Sequence, residues 1–120
     1  MITPRLLLVE DEFLIRMTLS EVLADDGFDV VEAEDGDTAL ALLEAGGDFA
    51  MMLTDIQLPG GFDGNALAEK VRVKHPGLPV IFMSGRTQPA VSANPLDTYV
   101  SKPYLPSALS ATVRRILNGG

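Results

Sequence analysis

Apolar and polar positions along this chain follow two rhythms that alternate from end to end. Leu6-Leu7-Leu8-Val9 is an unbroken apolar run, the pattern of a parallel strand covered on both faces. From Glu12 to Asp25 the apolar residues Ile15, Leu19, Val22 and Leu23 recur at helical spacing, and Asp26-Gly27 ends the run. Phe28 to Ala33 reads as a second strand, more exposed because Asp29 and Glu32 interrupt it. A helix from about Gly36 to Ala45 follows, with Ala39, Leu42 and Leu43 inward and Gly46-Gly47 as its stop. Met51-Met52-Leu53 is a third strand, Leu58 to Gly64 a loop, and Asn65 to His75 a helix closed by Pro76-Gly77. Val80-Ile81-Phe82-Met83 and Thr98-Tyr99-Val100 are the fourth and fifth strands, and Leu109, Val113, Ile116 and Leu117 line a last helix. One segment breaks the alternation. Between Ser84 and Thr98 stand Pro89, Asn94 and Pro95, so at most a turn or two of helix fits, around Ala90 to Ala93. Strands alternating with helices predict a doubly wound α/β sandwich.

Composition narrows the function classes. A chain of 120 residues, 47% of them hydrophobic, is read as one domain with a real core. The net charge of −8 argues against nucleic acid or an anionic membrane as partner. There is no cysteine, hence no disulfide framework and no thiolate metal site. Met1 to Arg5 lead into only four apolar residues, too few for a signal peptide or a membrane span. The expectation is a cytoplasmic protein.

The candidate chemistry lies at the ends of the predicted strands. Glu10-Asp11 follow the first, Asp55 the third, Ser84 the fourth and Lys102 the fifth. In an open parallel sheet those ends share one edge, where ligands bind. Three carboxylates, a hydroxyl and an amine would then converge. An acidic first helical turn would explain Glu12, but not Glu10. A strand-end carboxylate can serve as a nucleophile, and clustered carboxylates call for a cation to offset their repulsion.

Val9-Glu10-Asp11-Glu12, Thr54-Asp55-Ile56-Gln57-Leu58-Pro59, Ser84-Gly85 and Lys102-Pro103 together resemble the receiver domain of two-component response regulators. The resemblance covers essentially the whole chain. It implies a flavodoxin-like (βα)5 fold with strand order 2-1-3-4-5. Asp55 would accept a phosphoryl group from a sensor histidine kinase or a histidine phosphotransfer protein, and later lose it to water. Glu10, Asp11, Asp55 and the backbone carbonyl of Gln57 would hold Mg²⁺, with Mn²⁺ as the alternative. Lys102 would pair with the phosphate, Pro103 would follow a cis bond, and Ser84 would hydrogen-bond a phosphoryl oxygen. Tyr99 matches the aromatic switch position, acting with Ser84. Phe82-Met83-Ser84-Gly85 resembles the Phe-Ala-Thr-Gly signature of an alphaproteobacterial subclass with a reduced fourth helix, here short or mobile. Gln57 and Arg86 flank the site and would tune the rate of phosphate loss.

The pattern also departs from the family. The turn from Pro59 to Asp63 carries one extra residue through Gly60-Gly61, and the stretch from Ser84 to Lys102 is a few residues short. His75 reads as an exposed helix end, not a phosphodonor. The expectation is a single receiver over residues 1–120 with no output domain, a stand-alone regulator or phosphate shuttle, or else a receiver cut from a hybrid kinase. It would be a signalling domain with its own phosphorylation chemistry rather than an enzyme. Two rivals differ in residues. A haloacid-dehalogenase-type phosphatase needs a second aspartate where Gln57 stands, and a pseudo-receiver would lack an acidic group or the lysine.

Overall fold

The computed structural model describes residues 3–85 and 94–119. Its strands are β1 (Arg5–Val9), β2 (Asp29–Ala33), β3 (Met51–Asp55), β4 (Val80–Ser84) and β5 (Asp97–Ser101). Its helices, among the described residues, are α1 (Phe13–Asp25), α2 (Gly36–Glu44), α3 (Gly64–Lys74) and α4 (Pro106–Leu117). All strand pairs are parallel, in the order β2-β1-β3-β4-β5. β3, with Asp55 as its last residue, is therefore the middle strand.

The apolar runs form strands because both of their faces are covered. Leu7, Val9, Met52, Val80 and Phe82 pack with Ala39 and Leu43 of α2 and Leu67 and Val71 of α3. Leu6, Leu8, Met51, Leu53, Ile81 and Met83 face the other way, onto Leu19 and Leu23 of α1 and Leu109 and Val113 of α4. Successive residues of a strand point to opposite faces, so a continuous apolar run feeds both cores. Each fully buried leucine contributes about 1.5–3 kcal/mol.

Helix ends follow from local chemistry. Asp35 and Asp63 cap α2 and α3, their side chains accepting from the N–H groups of Thr38 and Ala66. Pro106 opens α4, where a missing N–H costs nothing. Asp26, just past α1, accepts from the buried hydroxyl of Ser110 on α4 and pairs with Arg114 at 3.5 Å. This ties the two helices of one layer together. His75 differs from expectation: it caps the C-terminus of α3, donating its N–H to Val71, and is half-buried rather than exposed. The expected helical turn at Ala90 to Ala93, the reduced fourth helix it implied, and Arg86 lie outside the described residues. Among the described residues no helix is long and apolar enough to cross a membrane.

Candidate functional site

Three strand ends and one loop build the site. β1 delivers Glu10, whose N–H extends the ladder to the carbonyl of Ala33 at 3.0 Å. An acidic first turn does not account for Glu12 either, since Glu12 is the N-cap residue of α1 and the first turn holds no acid; Glu10 is 1% exposed. Its Oε2 accepts from the N–H of Glu12 at 3.0 Å. β3 ends in Asp55, 4% exposed, and β4 ends in Ser84, also buried. Beyond β5, the peptide bond between Lys102 and Pro103 is cis, and the N–H of Lys102 bonds the carbonyl of Ser84 at 2.7 Å.

Lys102 meets both buried carboxylates. Its Nζ lies 2.5 Å from Oδ1 of Asp55 and 3.9 Å from Oε1 of Glu10. The Asp55 contact is one of charge and lacks the angular geometry of a hydrogen bond, so both oxygens are buried without a hydrogen-bond partner among the described residues. Burial acts to lower the Lys102 pKa, but the adjoining Asp55 carboxylate, with the charges of Glu10 and Glu12, outweighs it and the net shift is upward. Burial pushes the Glu10 carboxyl up to about 8, and proximity to Asp55 adds to that rise.

Each predicted residue has a definite place. Ligand oxygens of Glu10, Asp11 and Asp55 lie within 4.8 Å of one another. A cavity of about 350 Å³ opens beside them, lined by Asp11, Asp55, Gln57, Ser84, Gly85 and Lys102. Two buried carboxylates, Glu10 and Asp55, with the exposed Asp11 make an all-oxygen donor set that fits a hard divalent cation such as Mg²⁺. Tyr99 stands apart from this cavity. Its ring stacks on Phe82 with centroids 5.1 Å apart, on the α2–α3 side of the sheet.

Three contributors escape a reading of sequence. Gly64 opens α3 so close to β3 that an added Cβ would lie 2.2 Å from the Asp55 carbonyl oxygen. An Asp-Gly pair at the start of a helix, where glycine is a poor former, is the signal that would have found it. Tyr104 donates to Sδ of Met83 at 3.5 Å, and its hydroxyl pKa is pushed up to about 12 by burial and the charges of Asp55 and Glu10. Arg16 binds the Glu10 carbonyl at 2.8 Å and Glu32 at 3.1 Å. Such long-range contacts leave no local trace.

Comparison with known proteins agrees with this geometry. Residues 6–114 match the family described as the response regulator receiver domain. The aerobic respiration control protein ArcA of Escherichia coli (strain K12) is 34% identical over 97% of this chain and 49% of its own length. The sensor kinase CckA of Brucella abortus (strain 2308) is 35% identical over 92% of this chain and 12% of its own. The chain thus spans about half of ArcA and a small part of CckA. Among solved structures, a response regulator receiver protein from Sinorhizobium medicae WSM419 superposes with a TM-score of 0.87 at 27% identity, covering 97% of this chain and 95% of that one. Response regulator TrrA of Thermotoga maritima, in complex with Mg²⁺-BeF, superposes with a TM-score of 0.80 at 27% identity, covering 95% of this chain and 99% of that one. Sequence, topology and the strand-end carboxylates agree: the chain belongs to the response regulator receiver domain family.

Proposed function

We propose that Asp55 is the phosphoryl acceptor of a two-component phosphorelay. The observation that carries this reading is its position: the last residue of the middle strand, buried, with Oδ1 2.5 Å from Lys102 Nζ and beside an open cavity. An oxygen of Asp55 attacks the phosphorus of a phosphohistidine. The oxygen–phosphorus bond forms as the phosphorus–nitrogen bond breaks, and the histidine nitrogen keeps the electron pair. Lys102, one-third exposed, turns from Asp55 to a phosphoryl oxygen, and the Ser84 hydroxyl donates to another. Water later attacks phosphorus, which restores the carboxylate and releases phosphate.

Glu10, Asp11, Asp55 and the carbonyl of Gln57 would hold Mg²⁺, or Mn²⁺ in its place. When bound, the cation supplies charge neutralisation for the carboxylates and the incoming phosphoryl oxygens. Support comes from the orphaned oxygens of Glu10 and Asp55, and from TrrA as a complex with Mg²⁺-BeF. Tyr99, on the same face of the sheet as Phe82, would report the movement of Ser84 to the surface.

The donor would be a sensor histidine kinase or a histidine phosphotransfer protein. Phe13, Leu14 and Met17 of α1 and Leu105 before α4 are exposed apolar residues beside the site, and an apolar groove lined by Ile15, Pro103 and Tyr104 continues from them. This edge suits a helical partner that brings its histidine to Asp55. The role is signalling in the cytoplasm rather than turnover of a substrate. Similarity to CckA favours a second reading, a receiver within a longer sensor kinase. Phe82-Met83-Ser84-Gly85 supports the Phe-Ala-Thr-Gly subclass.

Incubation with phosphoramidate and Mg²⁺, followed by intact-mass measurement, tests the assignment. Wild type should gain one phosphoryl group, and Asp55→Asn should gain none. Equal uptake by both would remove Asp55 from the role.

A further inference from the structure

Glu10 has four polar atoms, and three are fixed. Its N–H donates to Ala33 at 3.0 Å, its carbonyl accepts from Nη1 of Arg16 at 2.8 Å, and its Oε2 accepts from Glu12 at 3.0 Å. Among the described residues only Oε1 is left without a hydrogen-bond partner, buried and 3.9 Å from Lys102. The carbonyl contact stands out because it reaches across from α1. Arg16 is itself held: its Nε pairs with Oε1 of Glu32 on the edge strand β2 at 3.1 Å, and its guanidinium lies 5.6 Å from the centre of the Phe13 ring. The side chain of Arg16 is only 14% exposed. A planar fork that spans two acceptors in fixed directions orients what it binds.

We infer that Arg16, braced by Glu32, is a positioning residue that aims Oε1 of Glu10 into the carboxylate cluster. This rests on the reading of Glu10, Asp11 and Asp55 as a divalent-cation site. Charge alone gives Arg16 the opposite effect. A guanidinium close to a cation site repels the cation, so its removal would tighten binding. If Arg16 acts by position, its removal weakens binding, because Glu10 loses the contact that fixes its backbone. The two accounts differ in sign.

The test is a calorimetric titration of the whole chain with Mg²⁺ alone, for wild type, Arg16→Met and Arg16→Lys. Thermal unfolding in EDTA establishes which variants are folded. Arg16→Met keeps the apolar stem and loses the fork; its Mg²⁺ affinity should fall roughly tenfold. Arg16→Lys keeps the charge and can reach one acceptor, so it should recover part of that loss. Wild-type or tighter affinity in folded Arg16→Met would overturn the inference. Should Arg16→Met fail to fold, Arg16→Lys decides alone: a several-fold loss supports positioning, and unchanged affinity overturns it. Absence of Mg²⁺ binding by wild type would overturn the cation-site reading itself, and that result is separate from any effect of Arg16.

Discussion

Glu10 shows how one buried carboxyl couples protons to stability. Its folded pKa of about 8 stands above the ordinary carboxylate value of 4.5, chiefly because it is buried. Between those values the folded protein holds a proton that the unfolded chain has released. Stability of the metal-free protein should therefore fall as pH rises through that window. Urea unfolding in EDTA at several pH values checks this, and Glu10→Gln should flatten the dependence; a stability that rises across the window would contradict it. Mg²⁺ competes with the same proton, so apparent Mg²⁺ affinity should climb as pH approaches 8. Lys102 is the matching cation. Lys102→Met leaves Asp55 and Glu10 facing each other without it, which should lower the Tm in EDTA, and saturating Mg²⁺ should recover part of the loss. At this scale the sequence was informative for Asp55, Glu10 and Lys102, because the first two follow short unbroken apolar runs and the third follows the strand-like Thr98-Tyr99-Val100. It was silent on Arg16 and Tyr104, whose partners Glu32 and Met83 lie far away along the chain.

Among the elements, α3 and α1 carry the testable consequences. The start of α3 lies against the backbone of Asp55, with the N–H of Gly64 bonded to the Ile56 carbonyl at 2.7 Å. Gly64→Ala forces these apart; it should cost about 1–3 kcal/mol in chemical denaturation and slow phosphorylation by displacing Asp55. A substitution without effect on either would show that the loop yields freely. On α1, Phe13 and Leu14 are 61% and 69% exposed. Leu14→Asp should slow phosphoryl transfer from a histidine-containing protein at least tenfold, while uptake from phosphoramidate stays unchanged. Equal slowing with both donors would place the defect in the site instead of at docking. The first three helices were legible from their periodicity and their glycine or proline stops, with boundaries within a residue or two, whereas the caps Asp35 and Asp63 emerge from the structure. The early start of α3 at Gly64 was not, since glycine is a poor helix former and only its close approach to β3 explains it.

The whole molecule converts sheet topology into one reactive edge. Five parallel strands, the central three apolar on both faces, bring the ends of β1, β3 and β4 together, and the chain beyond β5 adds Lys102. That arrangement was readable because two-sided burial leaves a continuous apolar run in sequence, and because ligands bind at the C-terminal edge of such sheets. A switching role for Tyr99 was not readable, since a partly buried ring stacked on Phe82 serves equally as core. The central claim is that this edge exists to place a phosphoryl group on Asp55. Its most direct test is chemical. After treatment with phosphoramidate and Mg²⁺, borohydride reduces an aspartyl phosphate to homoserine, and peptide sequencing by mass spectrometry locates the altered residue. Homoserine is expected at position 55 alone, dependent on Mg²⁺. Label at another residue, or none while Mg²⁺ is bound and the small donor is not consumed, would contradict it.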